Sequence, residues 1–399
     1  MPDAKRPRIP RGMNPEGPAL WSYGFRPFFL GGAIWAVLTM ALWIAALVHG
    51  LPLGGDFGAA LWHAHEMVFG FASAVLAGFL LTAIPNWTGT LPVSGRALIG
   101  LFSLWVLGRI AMTGAEWIGV WPAALIDALF LPVLLATAAR EIVAGRKWNN
   151  LKVLIGVAAI MVGNLGFHAT VLLGGDPAIW LRAAIAGYVA LVMIIGGRII
   201  PSFTRNWLSR QNAQTLPVPF NRFDVGVIGF STLALIIWTI APEALLTALM
   251  ALVAGGLNVA RLARWRGLAT RAEGILLVLH LSYAFVPLGF LTIAASGAGL
   301  VQPVSALHVL TVGVIGATML AVMTRATRGH TGRTLTASPL TLIAYLCLFA
   351  AALARPLADL SGGLWLMEAA GGLWILAFGL FVLEYGPMLM MRRPQPKMT

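Results

Sequence analysis

The sequence predicts an all-α polytopic membrane protein of about twelve transmembrane helices. Hydrophobic residues make up 59% of the 399 residues and charged residues only 10%, whereas a soluble chain usually carries about 25% charged residues. Apolar runs of about 18 residues or more recur along the whole chain, and this length spans the hydrocarbon core of a bilayer. The composition therefore excludes a soluble globular enzyme.

One membrane domain, residues 28–388, is predicted between an N-terminal segment, 1–27, and a C-terminal tail, 389–399. The N-terminal segment is too polar and proline-rich for a cleaved signal sequence, so we expect the first span to remain as an anchor. The longest connections, near 139–150, 201–222 and 324–336, are too short for a soluble domain. The predicted spans are 28–49, 66–84, 96–113, 118–138, 151–174, 178–200, 223–240, 242–260, 274–296, 301–323, 337–354 and 363–388.

The basic residues follow the topology of the chain. There are 27 Lys and Arg against 14 Asp and Glu, a net charge of +13. With the N-terminus placed in the cytoplasm, all but three of the 27 fall on the cytoplasmic side; the exceptions are Arg109, Arg182 and Arg355. This bias is what the positive-inside rule describes. We therefore predict that both termini are cytoplasmic, and that the chain's partners include membrane lipid and no nucleic acid.

The second, sixth and tenth predicted spans share features that suggest an internal repeat. When His65 is aligned with His308, several small residues that follow also coincide. Pro85, directly after the second predicted span, corresponds to Pro201, directly after the sixth, and a Ser/Thr-rich turn is expected after both. Since these spans are four apart, the pattern favours three four-helix units. Helix packing alone, which also selects small residues, is the alternative.

Histidines inside the predicted spans point to a metal site, because an ionisable side chain is costly in a bilayer and indicates function. The chain has seven histidines. The repeat would place His65 and His308 on parallel helices at matching depth. Two such neutral imidazoles are what a six-coordinate haem iron requires. We therefore predict His65 and His308 as haem ligands; histidines that are hydrogen-bonded in a packed core are the alternative.

A second metal site is predicted from the remaining histidines of the outer half. His63 and His65 are two positions apart, so on a continuous helix their side chains would differ by roughly 200°. They could face one metal only if His63 lay in a non-helical lead-in, so we assign His65 to the helix of the second span and expect His63 to turn towards a second site. With His168 and His49 it could bind copper through imidazole nitrogen, a ligand that suits this metal. Solvated interfacial side chains are the alternative for His63 and His49.

Two charged residues near these histidines are candidates for supporting roles. Glu66 is the candidate catalytic residue, since a carboxylate there could orient a ligand imidazole or relay protons; stabilisation by the helix terminus is the alternative. Arg109 could pair with a haem propionate, or it could snorkel towards the interface. Cys347 is the single cysteine, so this chain holds no disulfide and no thiolate metal cluster of its own.

Four segments of the sequence resemble the signature blocks of the NnrS family. They are GFRPFF (24–29), WHAHEM (62–67) with the apolar stretch that follows, GGRIIPSFT (196–204) and TRATRGHTGR (324–333). The resemblance covers essentially the entire chain. It implies a multi-pass protein of the bacterial inner membrane that contains haem b and copper. It also implies a role in denitrification and in defence against nitric oxide and nitrosative stress.

The predicted architecture is similar, more distantly, to the main subunit of haem-copper oxidases and nitric oxide reductases. In that superfamily the second and tenth spans carry haem ligands, but here no histidine occurs in the predicted sixth or seventh span. Any copper must therefore be bound differently. The preferred interpretation is an oxidoreductase that reduces nitric oxide or processes iron-nitrosyl species, with electrons from a quinol or a redox protein. The alternatives are a transporter or chaperone of copper, haem or a nitrosylated complex, and a membrane sensor of nitric oxide.

Overall fold

The computed structural model describes residues 17–392, which form helices and connecting turns without a strand. Twelve helices in this part of the chain are long and apolar enough to cross a membrane, which confirms the predicted number. We number them spans 1 to 12 in chain order. Their bounds are Phe25–His49, Gly55–Thr88, Gly95–Thr113, Val120–Ala144, Leu151–Leu172, Ala178–Arg210, Arg222–Ile240, Leu245–Ala263, Gly274–Gly297, Pro303–His330, Pro339–Ser361 and Leu364–Met390.

Spans 2, 6 and 10 are longer than predicted, because their helices continue through polar residues beyond the apolar runs. In span 2, His63 lies within the regular helix Gly58–His65, so the helix begins before residue 66, where the second span was predicted to begin. In span 6, Pro201 lies inside the helix Gly197–Arg210, so no turn follows it directly. The predicted terminal segments, 1–27 and 389–399, lie partly outside the described residues.

Each of these three spans contains a π-helical segment. A π turn widens the helix and leaves backbone carbonyls that need donors from elsewhere in the protein. In span 2, the indole of Trp105 donates to the carbonyl of Gly70 at 2.9 Å, and the hydroxyl of Tyr188 donates to the carbonyl of Val68 at 3.0 Å. The π segments are Glu66–Phe71, Val192–Gly196 and Val309–Gly316.

The division of the twelve spans into three four-helix units and the cytoplasmic position of both termini stay predictions.

Span 2 lies at the centre of the bundle. Of its most apolar stretch, 83% is buried in the protein, against 28% for span 1. Neighbouring helices approach it closely where its residues are small: a Cβ at Gly78 would lie 2.7 Å from the ring of Phe29. Because other spans surround it, side chains on opposite faces of span 2 both meet protein rather than lipid.

Two arginines connect helices at the end of the bundle where span 12 ends. Arg328, in the motif TRATRGHTGR, donates to the carboxylate of Glu384 at 2.7 Å and to the hydroxyl of Tyr385 at 3.1 Å. Arg26, in the motif GFRPFF, donates to the carbonyl of Leu389 at 2.7 Å. These contacts tie spans 1 and 10 to span 12, so both motifs stabilise the fold.

Candidate metal centre

The two histidines of span 2 face different parts of the protein. His63 and His65 lie in one helix, in which two positions correspond to roughly 200° of rotation. His65 is fully buried and faces spans 4 and 5. His63 is half-buried and lines a cavity formed by spans 1, 2, 6, 10, 11 and 12. One helical turn therefore contributes to two histidine sites.

Both ring nitrogens of His65 are engaged. Nδ1 lies 2.9 Å from Oε1 of Glu66. Nε2 lies 3.0 Å from the side-chain oxygen of Asn164 and 3.2 Å from Oδ2 of Asp127. The same Asp127 oxygen lies 2.8 Å from Nε2 of His168 and accepts the amide N–H of Asn164 at 3.0 Å. These side chains come from spans 2, 4 and 5 and are all buried.

Arg109, from span 3, bridges the two carboxylates. Its Nη1 donates to Oε2 of Glu66 at 2.5 Å, and its Nη2 donates to Oδ1 of Asp127. The indole N–H of Trp35 donates to the same Glu66 oxygen at 2.8 Å. Gly70 makes room for the pair, because a Cβ there would lie 2.5 Å from Arg109 Nη1. The predicted propionate partner thus faces two carboxylates of its own chain.

The geometry can accommodate a metal ion. His65, Asp127 and His168 each offer one ligand atom, and these atoms lie within 4.8 Å of one another. We call these three residues the polar site. Two imidazoles and one carboxylate suit a transition metal. Of the other predicted copper ligands, His63 faces the cavity and His49 is exposed at the end of span 1, so neither joins the polar site.

The residues predicted from the sequence do not include Asp127 and Asn164, because that prediction starts from the histidines. Asp127 lies within an otherwise apolar predicted span, 118–138. A carboxylate at membrane depth indicates function by default, and this signal could have found it. Asn164 carries a weaker signal, because an amide inside a membrane helix also serves ordinary helix packing.

The second site is an apolar cavity of about 300 Å³, which is a volume in which small molecules and cofactors bind. His63 and His308 both line it. The ring of His63 stacks on Trp43, with 4.7 Å between ring centroids. His308 Nδ1 donates to the carbonyl of Val304 at 2.8 Å, which makes Nε2 the lone-pair nitrogen. This is the tautomer that a metal-ligating imidazole takes when a carbonyl orients it.

Arg355, from span 11, brings a positive charge to the cavity wall. It donates to Oδ1 of Asp359 at 2.5 Å, and Oδ2 of Asp359 accepts the hydroxyl of Ser305 at 2.9 Å. Ser305 lies one turn before His308, so this chain of contacts connects Arg355 to the helix that carries the imidazole. A guanidinium beside an apolar cavity suits the carboxylate of an amphipathic ligand.

A comparison with protein families identifies the chain. The family model described as NnrS protein matches residues 19–393. This chain belongs to the NnrS family. The match covers nearly the whole chain and confirms the resemblance, and membership suggests a role in the response to nitric oxide. No curated protein matches the chain.

In this NnrS family protein, the two histidines predicted as haem ligands, His65 and His308, do not lie in the same site. His308 shares its cavity with His63, whereas both ring nitrogens of His65 are engaged on the other side of span 2. His63 and His65 lie in one helix and point to opposite sides of span 2. For this reason His63, and not His65, lies in the cavity with His308. Glu66 makes the contact to His65 that an orienting residue requires, and its catalytic role stays a prediction.

Proposed function

We propose that this NnrS family protein binds haem b between His63 and His308. The observation that carries the proposal is that these two imidazoles, from spans 2 and 10, line one apolar cavity. The residues fit this cofactor. Imidazoles are common haem ligands, apolar walls exclude water from the ring, and the guanidinium of Arg355 has N–H donors for the propionates besides the one that it gives to Asp359. Ala64, Ala72 and Ala370 contribute small side chains to the wall of this cavity.

We further propose that the polar site holds copper through His65, Asp127 and His168. Imidazole nitrogen suits this metal, and Glu66 would orient the ring of His65 through its hydrogen bond at 2.9 Å. His65 is 0% exposed and Asp127 2% exposed. Such burial favours an ion that stays in the protein over one that is carried across the membrane, and this argues against the transporter alternative.

The two sites together support a redox role in nitric oxide defence, with nitric oxide or an iron-nitrosyl species as substrate. When bound, haem and copper supply one-electron chemistry that the side chains of this chain lack. The chain's own residues would position the metals, exclude water from both sites and keep their charges balanced. A quinol or a redox protein would donate electrons, and the protein would reside in the bacterial inner membrane.

The proposal is tested by purifying the full-length protein and its His308→Ala variant. Haem content, the absorption spectrum and anaerobic nitric oxide consumption with a quinol would be measured. We expect His308→Ala to lose most of its haem and its nitric oxide consumption, while His49→Ala, an exposed histidine control, keeps both. Equal haem content and an identical spectrum in all three proteins would contradict the haem assignment. Full haem loading without nitric oxide consumption would favour the sensor alternative.

A further inference from the structure

The polar site and its neighbours carry an uneven set of charges. Glu66 and Asp127 contribute two negative charges, and Arg109 contributes one positive charge that a protein cannot remove. His65 and His168 are neutral when they act as metal ligands. In the structure both ring nitrogens of His65 face oxygen acceptors, so a protonated His65 balances the second carboxylate. A metal ion that binds Nε2 displaces this proton and leaves one negative charge, in a buried part of the membrane domain, for the ion itself to balance.

The other side chains that contact this group bring no charge. Trp35 and Asn164 donate hydrogen bonds to the two carboxylates. Phe69 and Phe167 pack against the ring of His65, with centroids 5.2 Å and 5.1 Å away. Because an unpaired charge is costly away from water, the group as a whole is best balanced by one additional positive charge.

From this charge count we infer that Arg109 sets the charge of the ion that the polar site retains, and that this ion is monovalent. The inference rests on the proposed metal site and adds its selectivity. A monovalent ion makes the group neutral, whereas a divalent ion leaves one uncompensated positive charge. Two histidines and an aspartate without Arg109 would instead suit common divalent metals.

Arg109 is built into the structure in a way that fits this role. It contacts the ligand residue Asp127 through one nitrogen and the non-ligand residue Glu66 through the other. The guanidinium is buried, and Gly70 provides the space that it occupies. At such short range and away from water, removing one unit charge changes the affinity for an ion by roughly tenfold or more.

The test uses metal-depleted full-length protein with Ag⁺ and Zn²⁺ supplied together. Bound ions are counted by mass spectrometry, and each protein is compared with its His168→Ala counterpart so that ions held elsewhere are subtracted. The wild-type site is expected to prefer Ag⁺. Arg109→Gln leaves two negative charges and should shift the preference towards Zn²⁺ by on the order of tenfold. Arg109→Lys keeps the charge and should keep the Ag⁺ preference.

A double variant separates charge from shape. Arg109→Gln combined with Glu66→Gln again leaves one negative charge, so it should return the preference to Ag⁺. If Arg109→Gln does not fold, Glu66→Gln alone tests the same claim. In this variant Arg109 and Asp127 balance each other without an ion. Both ions should therefore bind more weakly, and the affinity for Zn²⁺ should fall more than the affinity for Ag⁺.

The failures can be told apart. If His168→Ala lowers the ion count but the preference is the same in wild type, Arg109→Gln and the double variant, the role of Arg109 is overturned and the metal site stands. A Zn²⁺ preference in the wild type also overturns it. If His168→Ala leaves the ion count unchanged, the proposed metal site fails, and the selectivity argument fails with it.

Discussion

Residues from the same turn of span 2 line both the polar site and the cavity, but the histidines of the two sites have different hydrogen-bond partners. In the polar site, the ring nitrogens of His65 meet Glu66, Asn164 and Asp127 within this chain. In the cavity, His308 uses one nitrogen on a backbone carbonyl and keeps the other as a lone pair beside apolar walls. A closed set of charges therefore suits a small ion, whereas an apolar cavity with a free imidazole nitrogen suits a larger ligand.

Arg109→Ala should have the largest effect, and it breaks the polar site alone. Removing the guanidinium leaves Glu66 and Asp127 buried without their shared cation, which costs about 3–5 kcal/mol of unfolding free energy. The thermal midpoint in detergent should fall clearly. Arg140→Ala is the control, because Arg140 pairs with Glu141 on the surface and its side chain is 69% exposed. An equal midpoint for the two variants would show that the buried contacts do not stabilise the protein.

Gly70→Ala should have an intermediate effect on the same site. The added methyl would overlap Arg109 Nη1, Glu66 Oε2 and Trp35 Nε1, all within 2.8 Å of it, and such overpacking costs about 1–3 kcal/mol. Gly100→Ala, in span 3, is the matched control because nothing lies within 4 Å of its added Cβ. Alanine at that helical position should be neutral or stabilising by up to about 1 kcal/mol. A loss of stability in Gly100→Ala of the same size would remove the steric explanation.

Arg355→Gln should have the smallest effect on stability and act on the cavity alone. The side chains of this pair are only 15% and 11% exposed, but glutamine can still donate a hydrogen bond to Asp359, which also accepts one from Ser305, so the loss of stability is roughly 1 kcal/mol. Haem affinity, followed by absorption titration, should fall on the order of tenfold, because a charge-assisted hydrogen bond is lost. Haem dimethyl ester, which has no free carboxylate, serves as the control ligand. An equal loss of affinity for the ester would show that Arg355 does not bind propionate.

The fold and the histidines were predictable from the sequence, but their grouping was not. Apolar runs alone indicated twelve spans, because bilayer thickness fixes their length. The pairing of His65 with His308 relied on an alignment of spans, and alignment does not determine which way a helix faces. The rotation of span 2 depends on contacts to distant residues, such as Trp105 and Tyr188 at its π segment. The partners of Arg109 depend in the same way on the packing of spans 2, 3 and 4.

The central claim is that His63, and not His65, faces His308 across the haem site. Low-temperature electron paramagnetic resonance of the ferric protein measures it most directly, with His63→Ala and His65→Ala compared at equal protein concentration. We expect His63→Ala to lose the low-spin signal of an iron held by two imidazoles, and His65→Ala to retain it. Loss of that signal in His65→Ala together with its retention in His63→Ala would contradict the assignment of His63.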